Sequence, residues 1–381
     1  MWKVALCGTG MISDGFCQSV SAVENLKIVA VHSRHEETAK EFALKHSIEK
    51  TYTDYATMLL DQDIDLIYIG LPNSLHYEVA YQALKAKKHV IVEKPFVSNM
   101  KEFIGLIEIA SENKVRIFEM NRVMELPNYA VIRDHLKDIA PIRTISINFC
   151  KYSRKYNDYL AGKNPNVFSS EFSGGALADL GVYGVHFVTG LFGAPKKVDY
   201  VAQQLPNTID ASGNLTLQYD GFIASLIQSK NSKADPLITV QGEKGSLFIH
   251  SVPGLLPHVE LDTDKKTEIG TKQPYDGVHY IMKEALRILD SNDESAYRAQ
   301  LDHIQTVMMV LDEARKSAGI IFTADKKMKK HHWFSFKAKE PKPKKEKAVK
   351  VKTEKAPKPK KEKAVKAKKE KTAKPKKEPK A

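Results

Sequence analysis

Near the start of the chain, the apolar run Lys3–Cys7 passes directly into Gly8-Thr9-Gly10-Met11-Ile12-Ser13, and an amphipathic stretch begins at Met11. Two glycines between a strand and a helix allow a tight reversal and leave the backbone bare of side chains. Gly8 lets the chain turn, and Gly10 lets a bulky anion approach the main chain. The first N–H groups of the helix then point at that anion. Ser13 stands where a third glycine or alanine is usual, and it is small enough for close helix–strand packing. Gly8, Thr9, Gly10, Met11 and Ile12 are thus candidate phosphate-binding residues. Six residues of this kind are a dinucleotide fingerprint only when they open a strand–helix–strand unit.

The chain meets that condition. Strand-like Lys3–Cys7, Lys27–His32, Asp65–Ile69, His89–Val92 and Val115–Phe118 alternate with helix-like Met11–Val23, Glu36–His46, Leu75–Lys87 and Lys101–Asn113. Strands separated by helices of this length predict a parallel sheet. Val90-Ile91-Val92 suits a strand covered on both faces. After about residue 120 the pattern changes. A helix over Asn128–Lys137 precedes longer alternating strands at Thr144–Tyr152, Lys197–Gln204, Gly213–Asp220, Gly221–Lys230 and Leu237–Gln241. One helix-like run, Gly174–Phe192, lies among them, and helices near Tyr280–Leu289 and Ser295–Ser317 follow. Asp220-Gly221 and Glu243-Lys244-Gly245 suit hairpin turns. The expected fold is α/β. A doubly wound, Rossmann-type domain covers 1–120, an α+β domain with a mainly antiparallel sheet covers 121–325, and a Lys/Pro-rich tail covers 326–381.

The second strand ends Val31-His32-Ser33-Arg34-His35, with no acidic residue at Ser33 or Arg34 where a ribose 2′-hydroxyl is usually bound. A hydroxyl beside a guanidinium suits a 2′-phosphate, which favours NADP over NAD. The alternative is a solvated Arg34, with Glu36 reaching the ribose.

Glu93-Lys94-Pro95 falls at the carboxyl end of a strand, where ligands bind in open α/β sheets. Lys94 there can meet a nicotinamide ribose or a substrate oxygen, and crowding is expected to lower its pKa. Further on, Ser173-Gly174-Gly175 leads into a helix that carries Asp179, Tyr183 and His186 at i, i+4 and i+7. That spacing puts a carboxylate, a phenol and an imidazole on one face. Such a set fits general acid–base work on a carbonyl/alcohol pair, although a buried hydrogen-bond network uses the same residue types. His186, the third member, reads as a structural or supporting group.

Together these motifs resemble the glucose–fructose oxidoreductase, inositol dehydrogenase and rhizopine-catabolism family, Gfo/Idh/MocA. The resemblance rests on Gly8–Ser13, Leu71-Pro72-Asn73-Ser74-Leu75-His76, Glu93-Lys94-Pro95 and the Gly-Gly…Asp-x-Gly-x-Tyr helix, and spans roughly residues 1–325. It implies Lys94 as the catalytic lysine, Asp179 as its aspartate partner and Tyr183 as proton donor or acceptor. Tyr183 stands where inositol dehydrogenase-like members carry histidine, as in the dihydrodiol dehydrogenase-like branch. The resemblance also implies that Leu71, Pro72, Asn73, His76, Glu93, Asn121 and Arg122 line the cofactor, and that the large sheet makes a homodimer or homotetramer. Lys151 and Tyr152, with Tyr156 nearby, are weak candidates for the substrate pocket, as is His186. The expected reaction is hydride transfer between nicotinamide and a secondary alcohol or carbonyl of a sugar-like or diol substrate. A nicotinamide-binding sensor or scaffold without turnover is the competing reading. No metal site is expected.

The formal net charge of +13 belongs to the tail. Residues 337–381 hold 21 Lys and six Glu, so the remaining 38 basic and 40 acidic residues leave the body near neutral. That balance argues against a nucleic-acid-binding core. The tail repeats Lys-Pro-Lys-Lys-Glu from Lys342, Lys358 and Lys374, and its prolines and lack of aromatics after Phe336 predict disorder. Non-specific polyanion binding is its expected activity, with a plain solubility or spacing extension as the alternative. Cys7, Cys17 and Cys150 are too few and scattered for a disulfide framework. With neither a signal-peptide core nor an apolar run long enough to span a bilayer, the expected location is cytoplasmic.

Overall fold

The computed structural model describes residues 1–327. The lysine repeats from residue 337 onward lie outside the described residues, and so do the disorder and polyanion binding expected of them.

Six strands form the first sheet: β1 (Trp2–Cys7), β2 (Leu26–His32), β3 (Lys50–Tyr52), β4 (Leu66–Ile69), β5 (His89–Glu93) and β6 (Ile117–Met120). They are all parallel, in the order β3-β2-β1-β4-β5-β6. Helices α1 (Met11–Ser19), α2 (Glu36–His46), α3 (Tyr55–Leu60), α4 (His76–Lys85) and α5 (Met100–Asn113) connect them. Every residue of β4 and β6 is buried, as helices on both faces require. The strand order reverses beside β1, so the loops after β1 and β4 border the crevice where such sheets bind ligands. Sequence periodicity missed β3 and α3, which are too short to show a period.

The second half opens with α6 (Pro127–Ile139), β7 (Ile142–Cys150) and α7 (Arg154–Leu160). A π-helical turn over Leu177–Gly181 then runs into α8 (Val182–Phe192). The remaining strands are β8 (Lys197–Gln204), β9 (Asp210–Tyr219), β10 (Phe222–Ser229), β11 (Leu237–Gly242), β12 (Gly245–Ile249), β13 (Glu260–Asp262) and β14 (Lys266–Glu268). Their order is β14-β13-β12-β11-β7-β10-β9-β8, and β7 pairs with β10 in parallel while the other neighbours are antiparallel. Alternate residues such as Ile145, Ile147, Leu215, Leu217 and Leu226 face inward, in one core with Val185 and Val188 of α8. On the opposite face Val201, Ile223 and Ile227 are exposed. By length and composition Ser170–Phe192 is apolar enough to cross a membrane, but 72% of its 18-residue apolar window is buried inside the protein.

The chain closes with α9 (Gly277–Ser291), α10 (Glu294–Ser317) and α11 (Thr323–Lys327). One of these late helices packs on the first sheet. Val278, Ile281, Met282 and Leu286 of α9 share one core with Val4, Leu6, Phe16 and Phe118 of the first sheet and its helix. A strongly amphipathic helix from late in the chain thus covers the dinucleotide-type sheet, and local periodicity cannot say which sheet it will cover.

Candidate active site

The glycine turn has the conformation its sequence requires. Gly8 has φ +106°, and a Cβ there would stand 2.7 Å from the carbonyl oxygen of Gly70. Gly10 is the extended N-cap of α1, with no side-chain cap and nothing within 4 Å of where its Cβ would be. The bare N–H groups of the helix are therefore open to an anion, which is the cradle a dinucleotide pyrophosphate needs. Asp14 in the same first turn would repel a phosphate, but Lys45 and His46 of α2 hold its carboxylate. Ser13 is fully buried, and a Cβ on Gly70 would lie 2.7 Å from its Oγ, so helix and strand approach as closely as expected. Met11, at 84% exposure, sits at the mouth of the turn beside the partly exposed Ile12. At the end of β2, Ser33 Oγ lies 2.6 Å from Thr38 Oγ1, while Arg34 is exposed with no carboxylate in ion-pair range among the described residues. Glu36, the alternative ribose partner, is paired with Lys40 at 2.6 Å.

Lys94 leaves the end of β5 through a cis peptide to Pro95. Its Nζ donates to the backbone carbonyl of Asp179 at 3.0 Å and to Asp179 Oδ1 at 3.1 Å. The same ammonium lies 4.9 Å from the centroid of the Tyr183 ring. Phe149 meets that ring edge-on at 5.9 Å, and Gly254 is close enough that a Cβ there would come within 3.2 Å of it. On its other side, Asp179 Oδ2 accepts from Lys230. Burial works against the charge on Lys94, but Tyr183 and Asp179 outweigh it and hold the ammonium above the usual lysine value. The expected lowering is therefore reversed. Burial likewise opposes the Asp179 carboxylate, yet Lys94 and Lys230 keep its pKa well below the usual range. Both groups stay charged at neutral pH.

Several residues expected to line the cofactor also brace the loops around the crevice. His76 is fully buried, its Nδ1 3.1 Å from the Pro95 carbonyl and its Nε2 2.9 Å from that of Leu71. It ties the loop after β4 to the loop after β5. Glu93 is also buried and accepts from Tyr68 at 2.9 Å and from Arg122 at 2.8 Å. Asn121 is buried too, and its Oδ1 accepts from the backbone N–H groups of Val123 and Met124, closing the turn after β6. Leu71, Pro72 and Asn73 remain beside the crevice, with Asn73 donating to the Ser173 carbonyl at 2.8 Å. Arg122 stays partly exposed, its charge reinforced by Glu93 against the cost of burial.

His186 does not join Asp179 and Tyr183. It is 1% exposed, with Nδ1 2.9 Å from His303 Nε2 and Nε2 3.1 Å from Glu119 Oε2. The π-helical turn breaks the simple helical phase, and by His186 the helix has entered the core between β6 and α10. Lys151 and Tyr152 are exposed, and Tyr152 donates to Asn157 at 2.6 Å, so neither side chain is engaged with the Lys94 group. The residue that sequence reasoning missed is Lys230. Its signal was present: in the strand alternation it shares the inward parity of Leu226 and Gln228, an unusual place for lysine.

Residues 2–121 match the family model described as an oxidoreductase family with an NAD-binding Rossmann fold, and residues 137–248 match the GFO/IDH/MocA C-terminal domain. The chain belongs to the Gfo/Idh/MocA oxidoreductase family. It is 33% identical over 327 residues to scyllo-inositol 2-dehydrogenase (NADP(+)) IolU of Bacillus subtilis, covering 85% of this chain and 99% of the relative. It is 29% identical over 337 residues to trans-1,2-dihydrobenzene-1,2-diol dehydrogenase of Xenopus laevis, covering 84% and 99%. Its fold matches KijD10, a 3-ketoreductase from Actinomadura kijaniata in complex with NADP, at a TM-score of 0.72 and 21% identity, covering 83% of this chain and 97% of that one. This family member is an NAD(P)-dependent oxidoreductase of the dehydrogenase/reductase type.

Proposed function

We propose that the protein moves a hydride reversibly between NADP and a secondary alcohol or carbonyl carbon of a cyclic polyol, sugar-like or diol substrate. The observation that carries this reading is Lys94 held between Asp179 and Tyr183. Lys94 and Asp179 stay charged at neutral pH, so neither is free to exchange a proton there. The phenol of Tyr183 is the group left for that task. The nicotinamide, when bound, supplies or accepts the hydride at its C4. In the reducing direction Tyr183 donates its proton to the substrate oxygen. The Lys94 ammonium polarises that oxygen and stabilises the negative charge left on the phenol. Asp179 fixes the direction of Lys94, and the Phe149 ring limits rotation of Tyr183. Exposed Arg34 beside Ser33 supports the preference for NADP, and the name of the Bacillus subtilis relative carries the same cofactor.

The test is a panel of inositols, sugars and dihydrodiols assayed with NADP and NAD in both directions. Turnover of at least one carbinol that is abolished by Tyr183→Phe supports the reading, and wild-type protein that binds NADPH but turns over nothing refutes it in favour of a sensor. The exposed Val201, Ile223 and Ile227 on the open sheet face support a homo-oligomer formed there. Monomers in sedimentation at micromolar concentration would count against it. For residues 337–381, the surplus of lysine supports polyanion retention that weakens with salt. Retention unchanged after truncation at Phe336 would rule that out. The three free cysteines support a reducing, cytoplasmic location.

A further inference from the structure

Lys230 directly follows β10, in phase with its inward-facing Leu226 and Gln228, and is only 6% exposed. Its backbone is pinned from both sides: its N–H donates to the Ala211 carbonyl at 2.8 Å, and its carbonyl accepts from Ser153 N–H at 2.9 Å. Its ammonium reaches across to Asp179 Oδ2. Both carboxylate oxygens of Asp179 then hold an ammonium, because Lys94 takes Oδ1 as well as the main-chain oxygen. No other carboxylate lies within ion-pair range of Lys230 among the described residues.

A buried lysine is costly in desolvation and lost rotamer freedom, so its placement needs a reason. Charge counting supplies one. A lone Lys94–Asp179 pair is neutral overall, and its field at the Tyr183 oxygen is largely cancelled. With Lys230 present, one carboxylate is shared by two ammonium groups and a net positive charge remains. The second cation also fixes the plane of the carboxylate, which otherwise rotates and draws Lys94 away from the ring.

We propose that Lys230 is a positioning residue for hydride transfer: it holds Asp179 by the carboxylate oxygen that Lys94 leaves free, so that Lys94 keeps its place and its unneutralised charge beside Tyr183. This rests on the reading of Lys94 and Tyr183 as the proton-handling pair. It does not require Lys230 to touch substrate.

The test uses the full-length protein with NADPH and whichever carbinol or ketone the panel identifies. Lys230→Met, close in length but uncharged, should lower kcat about tenfold or more while substrate KM and NADPH affinity by fluorescence stay within about threefold. Lys230→Arg should recover most of kcat. In an Asp179→Asn background, Lys230→Met should cost nothing further, because its effect passes through that carboxylate. Wild-type kcat in Lys230→Met, or losses that simply multiply in the double variant, would overturn the inference. Should Lys230→Met fail to fold, Lys230→Arg and Lys230→Gln decide it: equal kcat in the two also overturns it. Absence of turnover by the wild type is a separate outcome and refutes the proposed function itself.

Discussion

Lys94 and Asp179, 85 residues apart in the chain, are joined twice, through the aspartate carboxylate and its own main-chain carbonyl. One directly follows β5 of the parallel sheet, the other belongs to the π-helical turn that precedes α8. The contact therefore links the cofactor-type half to the half that carries Tyr183. A double link leaves the ammonium little freedom, and a fixed charge beside a reacting oxygen does not reorganise during the reaction.

Removing either member of the proposed proton-handling pair should lower turnover without emptying the cofactor site. For Tyr183→Phe and for Lys94→Ala we expect kcat to fall by about 10²–10⁴, the usual contribution of a positioned acid–base group. NADPH affinity, read by fluorescence titration, should change by less than about threefold, because neither side chain lies at the glycine turn. Full kcat in both variants would overturn the assignment.

Arg34 should set cofactor choice. Arg34→Ala is expected to raise KM for NADPH by about tenfold or more, a loss of about 1.4 kcal/mol or more, and to leave KM for NADH nearly unchanged. Equal effects on the two cofactors would show that the guanidinium does not meet a 2′-phosphate.

Gly8→Ala should damage both fold and cofactor binding. The position has φ +106°, and an added Cβ stands 2.7 Å from a rigid backbone oxygen. Strain of this kind costs about 1–3 kcal/mol, which should appear as a melting temperature lowered by several degrees together with weaker NADPH binding. Gly10→Ala, with open space at its Cβ, should melt near the wild-type temperature and still bind cofactor more weakly.

Half-buried His303 should make the protein sensitive to acid. Burial, with His186 adjacent, pulls His303 from 6.5 down to about 3. Between those values the unfolded chain binds a proton that the folded chain does not. Stability from this group is therefore full above about pH 6.5 and is lost as the pH falls toward 3, at up to about 1.4 kcal/mol per pH unit. Buried Asp210, raised to about 6 by desolvation, works in the opposite direction. Comparing urea midpoints of wild type and His303→Gln from pH 4 to 7 isolates the histidine. We expect a flatter acid limb in the variant, and parallel curves would contradict this.

The sequence alone determined the elements with strong local signals. The Gly8–Ser13 turn, the parallel sheet and the mainly antiparallel second sheet all follow from backbone freedom and side-chain period within short windows, while the roles expected of Lys94, Asp179 and Tyr183 rest on the family resemblance. Only the tertiary structure decided which polar groups meet. His76, Glu93 and Asn121 carry motif positions but are turned inward, and His186 finds Glu119 and His303 rather than Tyr183. Lys230 finds Asp179 from 51 residues away, and α9 covers a sheet formed by the start of the chain. Local spacing fixes the face on which a side chain emerges, but the partner that offsets its burial comes from a distant strand or helix. Desolvation makes that partner obligatory, and only the packed fold selects it.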